Sequence, residues 1–142
     1  MAITQAMCTS FKKELMTATH DFSASGGSTF NLALYTQAAA SLSAATHAYT
    51  TSGEITGTGY TAGGKALTNI DPASSGTTAY TDFSDAAWNS SSITSDGAMI
   101  YNTAAGNPSV SVHTFTSATS VSGTFTVQFP TADSSNAILR LA

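Results

Sequence analysis

The sequence predicts a mainly β protein: a single antiparallel β-sandwich or jelly-roll-like domain with one N-terminal amphipathic α-helix. Short apolar runs alternate with period two, most clearly at Thr29–Tyr35 and Gly123–Phe129. Turn chemistry recurs roughly every ten residues with no helical pattern between, as sandwiches and barrels require. Charged residues are only 8% of the chain while apolar residues make up 42%, so a core can form and the charge density of a disordered chain is missing.

The opening stretch, Met1 to Phe22, reads as helical. Ile3, Met7, Phe11, Leu15, Ala18 and Phe22 recur at spacings of three and four, which predicts a helix over Thr4–His20 with Thr4 as its N-cap. Gly26-Gly27 would end any continuation. The stripe makes Ile3, Met7, Phe11 and Leu15 candidate contacts for an oligomer axis or a partner. Packing on the chain's own sheet needs the same pattern, and periodicity does not separate the two. Residues 1–25 are thus read as helix and linker, and 26–142 as the β body of one domain.

After the glycines, Thr29–Tyr35 is the clearest early strand. The Ala-rich stretch Gln37–Ala48, interspersed with Ser and Thr, reads as a partly helical loop. Further strands are expected at Lys65–Ile70, Thr77–Phe83, Gly97–Tyr101, Ser109–Thr116, Gly123–Phe129 and Ala137–Leu141. Asp71-Pro72, Ser75-Gly76, Asp96-Gly97, Gly106-Asn107-Pro108 and Ser122-Gly123 supply turns between them. Pro130 stops the penultimate strand. Phe30, Trp88, Tyr101, Phe115, Phe125 and Phe129 are the expected core.

Residues able to carry chemistry are few and scattered. Gly57–Lys65 has the outline of a phosphate loop, with Gly59, Gly64 and Lys65 at Walker spacing. Ala66 then stands where a Ser or Thr should bind magnesium, and a strand rather than a helix follows. The glycines are read as serving a demanding loop. His20, His47 and His113 lie in different elements without metal-ligand spacing, and His20 is expected to complement the helix dipole. Asp82 and Asp85 could be an acid–base pair, but Asp at a strand-end turn is the commoner role. Asn89-Ser90-Ser91 fits a glycosylation sequon but, with no secretory signal expected, reads as a turn, and Cys8 reads as a buried helix residue. The chain is read as no enzyme, with no cofactor and no metal.

Length and charge narrow the class further. The chain has 142 residues and a net charge of −4. Lys12, Lys13, Lys65 and Arg140 are too few for a phosphate-binding patch, so nucleic acid is not an expected partner. No apolar run approaches a transmembrane helix, so no membrane is expected. The first residues lack a basic region and Lys12, Lys13 and Glu14 interrupt the apolar stretch, so no secretory signal is expected; single Cys8 fits a reducing cytoplasm. Ser and Thr together are roughly a third of the chain. Neutral hydroxyl surface is cheaper to desolvate than charge, and it suits burial between subunits.

Three stretches carry a resemblance. They are Met1–Leu15 leading into Thr29–Tyr35, the middle run Gly53-Glu54-Ile55-Thr56-Gly57-Thr58-Gly59-Tyr60-Thr61-Ala62-Gly63-Gly64, and the end Phe125-Thr126-Val127-Gln128-Phe129-Pro130. In this order they resemble a family of small structural proteins of tailed bacteriophages, including phages of cyanobacteria. The resemblance covers most of the chain, and its motifs are structural. It implies a virion component made in the host cytoplasm: a head decoration, or cement, protein on the outer capsid surface, β-rich, often homotrimeric, and bound to the major capsid protein. A tail, fibre or baseplate component is the alternative. No site residue is carried over.

Overall fold

The strongest alternation in the sequence lies inside the main sheet. In the computed structural model, which describes residues 2–142, β2 (Phe30–Tyr35) pairs with β7 (Thr94–Asn102) on one side and the short β3 (Lys65–Ala66) on the other. β7 pairs with β8 (Ser109–Thr119), and β1 (Ala6–Met7) lies on the far edge of β8. The order is β1-β8-β7-β2-β3, antiparallel throughout. Two smaller antiparallel sheets complete a β-sandwich-like architecture. One orders β10 (Leu139–Leu141), β5 (Thr78–Phe83) and β4 (Asn69–Ser75); the other pairs β6 (Ala86–Ser91) with β9 (Gly123–Val127). The chain is mainly β, and one short helix, α1 (Thr9–Leu15), accompanies the strands.

Register explains the near-continuous apolar run in β2. Leu32 opposes Ile100, Ala33 opposes Met99 and Leu34 opposes Ala98, so successive side chains point to opposite faces. All six of these residues are buried; each face is therefore covered. On one side Phe30 meets Phe83 of β5 edge-on at 5.7 Å and stacks on Phe22 at 4.4 Å. On the other, Tyr101 stacks with Tyr49 at 4.7 Å, and Ala40, Leu42 and Ile55 are buried in the same irregular segment. Burying each large aliphatic side chain in this centre contributes about 1.5–3 kcal/mol.

The N-terminal helix is much shorter than Thr4–His20: α1 has seven residues. Ala6 and Met7 pair with Val112 and Ser111, and the Thr4 N–H donates to the Leu42 carbonyl at 2.9 Å. Strand neighbours satisfy these backbone groups, whereas a lone helix of this size is marginal. Thr4 is therefore no cap. Cys8 holds the N-cap position with extended backbone and makes no side-chain cap. The helix also stops well before Gly26-Gly27. Ala18 adopts φ 57°, and Thr19 and Ala18 donate to the Glu14 and Leu15 carbonyls, a left-handed C-terminal closure. Met1, where the helix-like stretch begins, lies outside the described residues.

Other departures have local causes. Lys65–Ile70 divides, since Lys65–Ala66 joins β2 while Asn69 starts a strand of another sheet. Asp71-Pro72 lies within β4 and not in a turn. The register shifts there between Ile70 and Ala73 on an edge strand, which tolerates proline. Asn89-Ser90-Ser91 ends β6 with another register shift, Ser90 taking φ 49°. Gln37–Ala48 holds no helix, only turns and bridges such as Ile3–Leu42 and Ala48–Pro108. Phe115 and Phe129 are only half-buried, while Phe11, Phe22 and Phe83 join Phe30, Trp88, Tyr101 and Phe125 in the core.

Candidate interaction face

The helix is fastened to the sheet by an aromatic and polar anchor. Phe11 is 1% exposed and meets His20 edge-on at 5.0 Å and Phe22 at 5.9 Å. Asn102, at the end of β7, accepts the Ala104 N–H on its carbonyl, which leaves its amide N–H to donate to His20 Nδ1 at 3.1 Å. His20 Nε2 then donates to Glu14 at 3.0 Å. This network assigns His20 the Nε2–H tautomer. His20 thus bridges helix to strand through specific partners, beyond the dipole role read from its position.

The four candidate contact residues do not share one face. Ile3 is buried on the far side of the main sheet, bridged to Leu42 and set over Gly97, where a Cβ would collide with it. Met7, Phe11 and Leu15 do converge. With Phe22, Leu139 and Leu141 they line an apolar pocket of about 120 Å³. Phe11 forms its floor, while Met7 and Leu15 are only partly buried. Leu141, which lines it, is 54% exposed, and Met16, the residue after Leu15 and outside the lining, is 83% exposed. Leu139 and Leu141 were legible as an alternating pair in Ala137–Leu141; Met16 lies off the stripe and carries no such signal.

The glycine-rich loop is organised by a carboxylate. Glu54 accepts the Tyr49 and Tyr60 hydroxyls at 2.6 Å each and the Gly63 N–H at 2.7 Å. Burial, reinforced by Glu54, pushes both tyrosines above the ordinary phenol value. Lys65 donates to the Ala87 carbonyl and lies 5.8 Å from the Trp88 ring centre. A phosphate here would meet the Glu54 carboxylate, already bound to a loop N–H. Gly64, at φ 78°, passes so close to the Leu32 carbonyl that a Cβ would collide. The sequence signal for Glu54 was its rarity: a lone carboxylate between two tyrosines in a charge-poor chain.

The remaining titratable groups are dispersed. Asp82, fully buried, accepts the Phe83 and Ile138 N–H groups, and burial raises its pKa. Asp85 accepts the Phe129 N–H at 2.7 Å. Both carboxylates therefore tie backbone together. His47 is exposed, and His113 hydrogen-bonds Ser111 at 2.7 Å. Cys8 is fully buried, and burial pushes its thiol up. No three His, Cys, Asp or Glu side chains converge as a metal site among the described residues. The chain matches no family model, no characterised protein and no solved structure.

Proposed function

We propose that this protein is a non-enzymatic virion subunit: a decoration protein that clamps neighbouring copies of the major capsid protein on the outer surface of a phage head. The observation carrying this reading is the apolar pocket at Met7, Phe11 and Leu15, whose lining includes the exposed Leu141. Such a patch gains free energy when a partner covers it. The near-neutral, hydroxylated surface lowers the desolvation cost around that contact. Two of the four cations, Lys65 and Arg140, are engaged with backbone carbonyls, which further disfavours a nucleic-acid role. The resemblance of the three stretches to tailed-phage structural proteins supports the virion setting.

The proposed assembly is a homotrimer. Closed cyclic symmetry lets identical subunits satisfy a repeated head-to-tail contact around one axis, and a three-fold set suits a three-fold junction. Linked contacts across several capsid subunits would raise the effective affinity of a modest interface. The test is particle stability. Heads lacking the protein should release DNA at lower temperature, and purified protein added back should restore them; Leu15→Asp protein should not. Equal robustness combined with lost adsorption or tail assembly would replace this reading with a tail, fibre or baseplate role.

A further inference from the structure

β8 and β9 are consecutive in the chain, joined through Ser120–Ser122, yet they do not pair with each other. β8 is held by β7 on one side and meets β1 on the other only at Ser111 and Val112. The Cys8 N–H reaches the Val110 carbonyl at 2.9 Å, which marks the edge facing β1. Two residues beyond Val112, a side chain takes the place of a strand: the Thr114 N–H donates to Gln5 Oε1 at 3.0 Å. The main chain before Gln5 has already left this edge, because Thr4 bonds to Leu42. β8 nevertheless runs on to Thr119, its register against β7 shifting between Thr114 and Ala118, with no strand on that side among the described residues.

A cleft of about 500 Å³ opens alongside this unpaired stretch. Leu32 and Ala98 of the main sheet line its base, with Phe115 on one wall and Phe125, Val127 and Phe129 on the other. Phe115, Val127 and Phe129 are only partly buried. The lining follows β8 from His113 to Ala118 and the β9 side from Phe125 to Phe129, roughly 15–20 Å at about 3.3 Å per residue. No Lys, Arg, Asp or Glu lines the cleft. His113 is its one titratable group, and burial holds its pKa down at about 4, so it is neutral near pH 7.

We propose that this cleft accepts an extended, uncharged polypeptide strand from a partner, pairing main chain to main chain with the open edge of β8 in the line that β1 vacates. The unpaired edge and the trough length select an extended chain, since an open edge is a template for strand addition. The neutral lining selects a neutral segment, because a charged side chain would be desolvated there without a counterion. Alternate apolar side chains of the incoming strand would cover Phe115, Val127 and Phe129, while Thr116 and Thr126 border it with hydroxyls. The inference stands on the open edge and its cleft alone, whatever larger particle the protein serves.

The probe is the acetylated, amidated hexapeptide Thr-Val-Thr-Val-Thr-Val, titrated into the folded protein by NMR with amide exchange read residue by residue. Saturable binding is expected, with exchange between Phe115 and Ala118 slowed at least about tenfold. Ala118→Arg, at an exposed position on the cleft border, should keep the fold and weaken the peptide by about tenfold or more. A Thr-Glu-Thr-Glu-Thr-Glu peptide should not compete. Absence of saturable binding would overturn the proposal. So would equal affinity for an N-methylated hexapeptide, which cannot donate main-chain hydrogen bonds, because it would make the cleft a site for apolar side chains alone.

Discussion

The Tyr60 hydroxyl receives the backbone N–H of Leu34 at 2.9 Å and passes its own proton toward Glu54 at 2.6 Å. One phenol thereby joins the central strand to the carboxylate that organises the glycine-rich loop. Tyr60→Phe leaves the Leu34 N–H and one Glu54 oxygen short of a partner. The expected cost is about 1–3 kcal/mol, read as a lower midpoint in urea unfolding. Tyr80→Phe, outside this network, should change the midpoint little.

Phe11→Ala should destabilise the fold by about 3–5 kcal/mol, because Phe11 is the buried floor of the helix anchor. Lys12→Ala, on the exposed side of α1, should stay within about 0.5 kcal/mol of wild type. Thermal or urea melts of the two variants test the face assignment. Equal losses at both positions would show it to be wrong.

Ala18 closes α1 from a left-handed backbone conformation, φ 57°, which costs a residue with a Cβ about 1–2 kcal/mol. Glycine is free of that cost but loses more chain entropy on folding. Ala18→Gly should therefore stabilise by up to about 1 kcal/mol, measured as a raised unfolding midpoint. A lowered midpoint would refute the left-handed closure.

His113 supplies a pH signature. Burial lowers its folded pKa from an ordinary 6.5 to about 4, so below pH 6.5 the unfolded chain takes up a proton that the folded chain refuses. The stability from this group is full above pH 6.5 and declines as pH falls to about 4, by up to about 3 kcal/mol. His113→Gln should flatten that part of the stability–pH curve. An unchanged slope between pH 6.5 and 4 would show that another group controls it.

The strands that hold the sheet together were the most legible elements. β8 announces itself through Val, Thr and Phe in alternation, and β2 through its apolar run from Phe30 to Tyr35. The turn chemistry of Ser75-Gly76, Gly106-Asn107-Pro108 and Ser122-Gly123 falls at strand junctions, whereas Asp71-Pro72 and Asp96-Gly97 lie inside β4 and β7. The opening segment misled for a definable reason. A spacing of four, as in Ile3 to Met7, satisfies both a helix and a strand, and only the distant partners Leu42, Ser111 and Val112 decide between them. β6 was hidden because Trp88 is its one large apolar residue and Asn89-Ser90-Ser91 carries turn chemistry that the strand absorbs as a bulge. At the interaction face, Met7, Phe11 and Leu15 were readable as a stripe. The desertion of Ile3 to the opposite side of the sheet, and the arrival of Leu141 from the other end of the chain, depend on tertiary contacts that no local pattern encodes.

The pairing of Ala6 with Val112 also sets a timetable for biosynthesis. When β1 emerges from the ribosome, about a hundred residues separate it from its partner, an interval of roughly 5–20 s at ordinary elongation rates. During that time Met7 and Phe11 have no strand β8 to rest on, and the helix anchor waits on Asn102 as well. The segment that presents the interaction face is thus made well before its partner and settled late. The nascent chain passes through a period in which its apolar stripe is open to chaperones or to neighbouring chains on the same message, and slowing translation past Val112 would lengthen that exposure.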